Sequence, residues 1–119
     1  MITPPSNIRA YHAHIYFDAI TRNSAEALRD GLRRAFAGQA RVHDLIDELI
    51  GPHPLPMFEV DVPAPNIDAV RAWLTAHHGV HSVLVHPLSG DDFADHRDFP
   101  QWIGEPLELD LEFLKKLQR

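Results

Sequence analysis

Polar and apolar residues alternate along two stretches of the chain, which is the pattern of a strand with one buried face. In residues 10–17 one face carries Ala13, Ile15 and Phe17, and the other carries His12, His14 and Tyr16. In residues 57–62 one face carries Phe58, Val60 and Val62, and the other carries Met57, Glu59 and Asp61. A shorter apolar run, SVLVH at residues 82–86, predicts a further core strand that ends in His86.

A helical period follows the first strand. The helix is expected to begin at Asn23 or Ser24, and Glu26 stands three residues after Asn23, as in a capping pair. Apolar residues then recur at helical spacing while three arginines take the opposite face. Gly38 is the expected stop, because glycine accepts the left-handed conformation that often ends a helix.

A second helix is expected between Asn66, as its N-cap, and Gly79, which ends it. Three histidines, His77, His78 and His81, stand at its carboxyl end. Protonated imidazoles there would complement the helix dipole, so we expect all three to lie in solvent.

Four remaining segments carry weaker patterns. Residues 1–9 contain two prolines and no periodicity, so a loose leader is expected. Residues 40–50 fit a helical period, but they lie between a helix stop and a proline-rich turn, and we predict a strand over 40–46. Residues 87–106 are polar and loop-like, and residues 107–114, LELDLEFL, fit either an edge strand or a short helix.

The predicted order of elements is β-α-β-β-α-β followed by a tail, which is typical of a ferredoxin-like α+β sandwich. In that arrangement the first and third strands lie centrally and the fourth borders the first. The helices cover one sheet face, and the apolar alternates point at them. The other face is left open, and it should present six polar side chains: His12, His14, Tyr16, Glu59, Asp61 and His86.

Composition narrows the range of functions that the protein can have. The 119 residues suit a single domain, and a net charge of −6 argues against a nucleic-acid partner, which would require a basic surface. No apolar run approaches the roughly 20 residues that span a bilayer. The first residues lack a signal-peptide pattern, so the cytoplasm is the expected location. With nine histidines and no cysteine, the chemistry available is that of imidazoles and carboxylates.

Four local features are candidates for a site. His12 and His14 lie two apart on a strand, and His53 stands between two prolines in GPHP. His86 ends a strand, and His96 follows it in an aspartate-rich loop. Each has an ordinary structural explanation: exposed strand histidines, a rigid turn or a solvated loop. Trp102, beyond the loop, fits either a pocket wall or a lid over the sheet edge.

Taken together these segments resemble a known family. HAHIYF (12–17), GPHPLPMFEV (51–60), HPLSGDDFADH (86–96) and WIGEPLELDL (102–111) are similar, in order and spacing, to the DOPA 4,5-dioxygenase-like proteins. These are small ferredoxin-like enzymes that cleave aromatic rings. One departure is Ser89, where threonine is expected, although the hydroxyl is kept. The resemblance implies Fe(II)-dependent extradiol cleavage of a catechol such as DOPA by O2.

That chemistry needs protein ligands on one side of the metal and open positions for catecholate and dioxygen. We expect His14, His53 and His86 to bind the metal, with Glu59 as an alternative to one of them. A base must accept a catechol proton and an acid must assist O–O cleavage. We expect His12 and His96 in these roles, and Tyr16 is expected to orient the substrate through its hydroxyl.

Two other interpretations of the function remain open. The same histidines could hold Zn or Ni in a hydrolase or isomerase, or the protein could be a non-catalytic ferredoxin-like module that uses its open face for binding or dimerisation. A polar face favours a site over a plain interface. A homodimer is expected in addition, because one sheet face is uncovered and the tail 107–114 suits edge pairing.

Overall fold

A computed structural model of the chain describes residue 5 and residues 7–117. The elements within these residues are β1 Ala10–Tyr16, α1 Arg22–Ala35, β2 Arg41–Val42, β3 Met57–Pro63, α2 Ile67–His77, β4 Val83–Pro87, α3 Asp92–Arg97, β5 Gln101–Ile103 and α4 Leu111–Leu117. A 3-10 turn, Ala64–Asn66, leads into α2. The predicted leader, residues 1–9, lies largely outside the described residues.

The five strands form one antiparallel sheet in the order β2-β3-β1-β4-β5. β1 and β3 are therefore central and β4 borders β1, as the ferredoxin-like prediction requires. The short β5 extends the sheet beyond β4. None of the helices described over residues 7–117 is long and apolar enough to cross a bilayer.

The main core lies between the sheet and helices α1 and α2. The strands contribute the apolar alternates that the sequence pattern predicted, and the helices contribute their apolar stripes. Burying each large aliphatic or aromatic side chain contributes about 1.5–3 kcal/mol. The fully or nearly fully buried residues include Ala13, Ile15, Phe17, Leu28, Leu32, Phe58, Val60, Val62, Val70, Leu74, Val83 and Val85.

The helix starts differ from the predictions. α1 begins at Arg22, and the expected Asn23–Glu26 capping pair is wrong because a local turn fixes the entry one residue earlier. In that turn Thr21 donates its backbone N–H to Asp18 Oδ1, and Asp18 donates its own to Thr21 Oγ1, both at 2.9 Å. These hydrogen bonds give the backbone N–H groups of Asp18 and Thr21 their partners just before the helix begins.

Asn66 occupies the N-cap position of α2 but does not cap it through its side chain. Its amide instead donates to the Gln39 carbonyl at 2.8 Å, which ties α2 to the turn after α1. The expected stop at Gly79 is confirmed, because this residue directly follows His78, the C-cap of α2. α1 ends earlier than expected, with Phe36 as its C-cap, and Gly38 lies in the turn two residues later. Gly38 and Gly79 both have positive φ, of 78° and 59°, which only glycine adopts without strain.

The segments between the main elements were predicted less well. The strand expected over 40–46 is limited to Arg41–Val42, with an isolated bridge from Ile46 to Met57. Residues 87–106, expected to be a loop, contain α3 and β5. Helix α3 is short but capped, because Asp91 accepts the Ala94 N–H at 3.1 Å.

The second sheet face is not open as predicted. Tyr16, Met57 and Leu84 form a second buried cluster on it, and chain segments that follow β4 and precede β3 pack over this cluster. The partly buried side chains that cover it are Ile46, Leu55, Trp102, Leu107 and Leu109. Of the two alternatives for the tail, residues 111–117 form a helix, so the strand edge expected for dimerisation is missing there. The homodimer stays a prediction.

The expectation that His81 lies in solvent is also wrong, although His77 is exposed as expected. His81 is only 3% exposed. Its Nδ1 lies 2.9 Å from the Tyr16 carbonyl, and its Nε2 lies 2.9 Å from Ser24 Oγ. Because a carbonyl only accepts, Nδ1 carries the proton and Ser24 donates to Nε2. His81 therefore joins α1 to the end of β1.

Replacing His81 by alanine should destabilise the fold by about 2–4 kcal/mol, because it opens a cavity and removes two buried hydrogen bonds. Replacing the exposed His77 in the same way should cost about 0.5 kcal/mol or less. Urea unfolding of both variants followed by circular dichroism measures the difference. Equal losses would contradict the bridging role of His81.

Candidate metal and active site

Five histidines from four parts of the chain meet on the second sheet face. His12 and His14 come from β1, His86 from β4, His96 from α3, and His53 from the turn before β3. Neighbouring rings lie 4.2–6.4 Å apart between centroids. All but His12 are buried. We call these five residues the histidine cluster.

Strand pairing sets the centre of the cluster. The register places His12 opposite His86 on one side and Asp61 on the other, so all three share one face. His14 lies two residues along the same strand, opposite Glu59. Its Nε2 is 3.1 Å from His86 Nε2, which is within hydrogen-bonding distance.

The turn at residues 50–54 brings in His53. Gly51 has a φ of 58°, and the His53 N–H donates to the Ile50 carbonyl at 3.2 Å. The Tyr16 hydroxyl lies 2.7 Å from His53 Nδ1, so a buried tyrosine fixes the orientation of this imidazole. The predicted rigid position of His53 is thus held by a hydrogen bond as well as by its flanking prolines.

Backbone carbonyls set the protonation of two further rings. His86 Nδ1 lies 2.9 Å from the Pro87 carbonyl, and His96 Nδ1 lies 2.7 Å from the Asp92 carbonyl. Since a carbonyl cannot donate, each Nδ1 carries a proton, and in the neutral ring each Nε2 presents a lone pair; that of His86 faces His14 Nε2. This is the arrangement in which metal-binding histidines are usually held.

The geometry suits a divalent metal. Two groups, His12 with His14 and His86, and His14 with His53 and His96, each have ligand atoms within 4.8 Å of one another. His14 belongs to both groups, and its Nδ1 is buried without a hydrogen-bond partner. A set of neutral imidazoles fits Fe, Zn, Cu or Ni, and the chain has no thiolate to compete.

The expected ligands thus occur in the cluster but fall into different groups. His14 and His86 are joined in one, and His14 and His53 in the other. Glu59, the alternative ligand, has its Oε1 4.0 Å from His14 Nδ1 and 3.3 Å from His12 Nδ1. The expected ligand set of His14, His53 and His86 remains a prediction.

The aspartate-rich loop was expected to be solvated, yet Asp95 is fully buried. It accepts the Ser89 hydroxyl at 2.6 Å and the Ser89 backbone N–H at 3.0 Å. Asp95 therefore anchors α3 to the loop after β4 and helps to place His96. Serine supplies the hydroxyl that this bond needs, so the substitution of threonine by Ser89 leaves the contact intact.

Burial makes the inner imidazoles weak bases. Desolvation, followed by repulsion from the neighbouring histidines, lowers the pKa of His53 to about 4 and the pKa of His14 well below its usual range. The pKa of His86 falls to about 3 for the same reasons. These rings are therefore neutral at pH 7, which is the form that binds metal. Burial likewise raises the pKa of Tyr16, so its hydroxyl stays protonated.

A more exposed group of side chains borders the cluster. His12 lies between two carboxylates, 3.3 Å from Glu59 Oε1 and 3.2 Å from Asp61 Oδ1. Desolvation and the adjacent Asp61 raise the pKa of Glu59 to about 7. Burial opposes ionisation of Asp61 too, but hydrogen bonds from His43 and Glu59 outweigh it and lower the pKa of Asp61. The sequence pattern gave no signal for His43.

A cavity of about 740 Å³ opens beside the cluster. His96 reaches its wall, and so do Pro52 and Pro54, which flank His53. Trp102 forms another wall and stacks on Tyr16 at 6.1 Å between ring centroids. Trp102 is therefore a pocket wall, one of its two expected roles. A cavity of this size accommodates a small organic molecule.

Fold and site together define a ferredoxin-like domain with a buried histidine cluster at the edge of a ligand-sized cavity. The chain belongs to the Dopa 4,5-dioxygenase family, whose sequence model matches residues 11–113.

Known proteins agree with this assignment. An uncharacterised 21.2 kDa protein of Botryotinia fuckeliana is 36% identical over 96% of the chain, and DOPA 4,5-dioxygenase of Amanita muscaria is 34% identical over 89%. The chain spans 68% and 50% of the lengths of these two fungal relatives. A crystal structure from Nostoc punctiforme, described as that of a candidate dioxygenase, is 38% identical and superposes with a TM-score of 0.87 over 93% of this chain and 95% of that one.

Acid should destabilise the metal-free protein. The pKa values of His53 and His86 in the fold, about 4 and about 3, lie below the ordinary 6.5, so the unfolded chain binds more protons between those limits. The contribution of these two histidines to stability is therefore complete above pH 6.5, and it should fall by several kcal/mol as pH drops to 4.5. Urea unfolding at a series of pH values measures this loss.

Glu59 has the opposite effect on the pH dependence of stability. Its pKa is raised to about 7, so its protonation stabilises the fold as the pH falls. The Glu59→Gln variant should therefore lose stability more steeply between pH 7 and 4.5 than the wild type does. A His86→Phe variant, which lacks one buried imidazole, should lose it less steeply. A stability that rises toward pH 4.5 would refute this account of the cluster.

Proposed function

We propose that the protein is an Fe(II)-dependent extradiol dioxygenase that opens the ring of a catechol, such as DOPA, with O2. The observation that carries the proposal is the pair of three-histidine groups centred on His14 beside the cavity. The relative from Amanita muscaria that is named DOPA 4,5-dioxygenase supports the substrate class.

We assign the metal to His14, His53 and His86, with Glu59 as the alternative for one of them. The lone pair on His86 Nε2 points to the same region as His14 Nε2, 3.1 Å away, and Tyr16 holds His53 in place. These imidazoles need no deprotonation at pH 7, because burial already keeps them neutral. Bound Fe(II) would supply the redox chemistry that allows O2 to react with a catecholate.

The cavity holds the aromatic ring. Trp102, Leu107 and Leu109 give it an apolar wall against which an aromatic ring can pack. Arg97 and three carboxylates lie at the same cavity and can contact a polar substituent on the ring. The reacting hydroxyls of the catechol then lie toward His96, the member of the cluster that lines the cavity.

His96 and His12 serve as acid and base. The Nδ1 proton of His96 is held by the Asp92 carbonyl, so this ring accepts and returns a proton at Nε2. His12 lies between the Glu59 and Asp61 side chains. Burial lowers the pKa of His12, so its ring is available to accept a catechol proton, and the Asp61 carboxylate stabilises the imidazolium that forms.

For Tyr16 we propose a different role from the one expected from the sequence. Its hydroxyl is bound to His53 Nδ1 at 2.7 Å, and it is absent from the cavity wall. We therefore assign Tyr16 to orienting His53, so that it acts on the metal site through this ligand and has no contact with the substrate.

Metal-free protein reconstituted anaerobically with Fe(II) should consume O2 when a catechol is added and give a yellow ring-opened product. Zn(II) reconstitution should give no O2 uptake, since zinc has no redox chemistry. His14→Ala and His86→Ala should each lower the iron content sharply, whereas His77→Ala, outside the cluster, should retain it. An oxygen electrode measures the O2 uptake, and metal analysis measures the iron content of each variant.

Iron bound at wild-type level in both His14→Ala and His86→Ala would reject the ligand assignment. No O2 uptake across a broad panel of catechols, with iron bound, would reject the dioxygenase activity and favour a binding module. O2-independent turnover with Zn(II) would favour the hydrolase or isomerase reading.

His96→Ala separates acid–base chemistry from metal binding. The variant should retain iron and bind catechol nearly as the wild type does, while its kcat falls by roughly 10²–10⁴, the usual effect of losing one general acid–base group. Catechol binding is followed by the optical spectrum of the anaerobic iron complex. Loss of iron would make His96 a ligand and remove one histidine from the proposed set, and a less than threefold change in kcat would assign it no chemical role.

A further inference from the structure

A second set of metal-binding side chains lies on the β2–β3 side of the site face, beyond the histidine cluster. His43 Nε2 is 2.7 Å from Asp61 Oδ2 and 3.7 Å from Glu59 Oε2. We call His43, Glu59 and Asp61 the carboxylate site.

Backbone pairing brings these three side chains together. Glu59 and Asp61 lie two residues apart on β3 and so point to the same sheet face. His43 follows β2, and its N–H donates to the Glu59 carbonyl at 2.9 Å, which places its ring beside both carboxylates. The side chains are 26–36% exposed, so a cation can reach them from solvent.

The charges at this site lack a permanent partner. Every ion pair of Glu59 and Asp61 within the described residues is made with a histidine, and none with lysine or arginine. In addition Asp61 Oδ1 is buried and has no hydrogen-bond partner, although His12 Nε2 is 3.2 Å away. Histidines are thus the only ion-pair partners of these two carboxylates within the described residues, and a histidine compensates for a carboxylate fully only when it is protonated.

We propose that the carboxylate site binds a second divalent cation, separate from the metal of the histidine cluster. The inference rests on the three-histidine form of the proposed function, in which His14, His53 and His86 hold the first metal and Glu59 is left for the second. Its donors are one imidazole and two carboxylates, a set that suits Zn(II) or Mn(II). Donor atoms around a metal with bonds of about 2.1 Å lie roughly 3.3 Å apart, so small side-chain shifts from the observed 2.7 and 3.7 Å are sufficient. His12 remains outside this set.

The number of metals bound tests the proposal without relying on dioxygenase activity. Metal-free protein is titrated with Zn(II) and, separately, with Mn(II) by calorimetry, and the metal content is measured after gel filtration. The wild type should bind two equivalents of at least one of the two metals. Asp61→Asn and His43→Ala should each bind one, with the affinity of the remaining equivalent unchanged within about threefold.

Two control variants assign each equivalent. Asp44→Asn removes a carboxylate that is paired with Arg33 outside the site, so it should still bind two equivalents. His86→Ala should lose the equivalent that Asp61→Asn retains. The proposal is overturned if the wild type binds no equivalent that Asp61→Asn and His43→Ala abolish, whether it binds one equivalent in all or two. Failure of the histidine site alone would appear as loss of the other equivalent, with the carboxylate site still filled.

Discussion

The pairing of β1 with β3 and β4 is the constraint on which the rest of the molecule depends. It places the apolar alternates of three strands against the helices and, by the same alternation, places His12, His14 and His86 on the other face. A slip of one residue would exchange the two sets, burying imidazoles against α1 and α2 and exposing the core. The core residues therefore enforce the register of the site, and the stability of the fold and the geometry of the cluster have the same source.

Much of this could be read from the sequence, because alternation is a local property. The strand faces, the β-α-β-β-α-β order and the gathering of His12, His14 and His86 all follow from period-two patterns and the known topology. The cover of the second face could not be read in this way. Helix α3 has only six residues, β5 only three, and neither is long enough to show a period.

The lack of a local sequence pattern also explains why the positions of several polar residues were predicted wrongly or missed. His81 stands next to other histidines at a helix end, and only the position of the Tyr16 carbonyl makes it a buried bridge. His43 follows a strand of two residues, so nothing in its neighbourhood indicates that it reaches Asp61. Asp95 was one aspartate among several, and its burial depends on a bond to Ser89. Contacts between distant segments decide such cases, and hydropathy patterns do not record them.

Tyr16 is held from both sides of the sheet. On the helix side its carbonyl accepts from His81, which is bonded in turn to Ser24 at the start of α1. On the other side its hydroxyl holds the imidazole of His53. Hydrogen bonds thus connect Ser24, His81, Tyr16 and His53 in series. Through Tyr16, the packing of α1 is linked to the orientation of the His53 imidazole. Substitutions at the start of α1, remote from the cavity, can therefore shift the orientation of His53 without contacting the site.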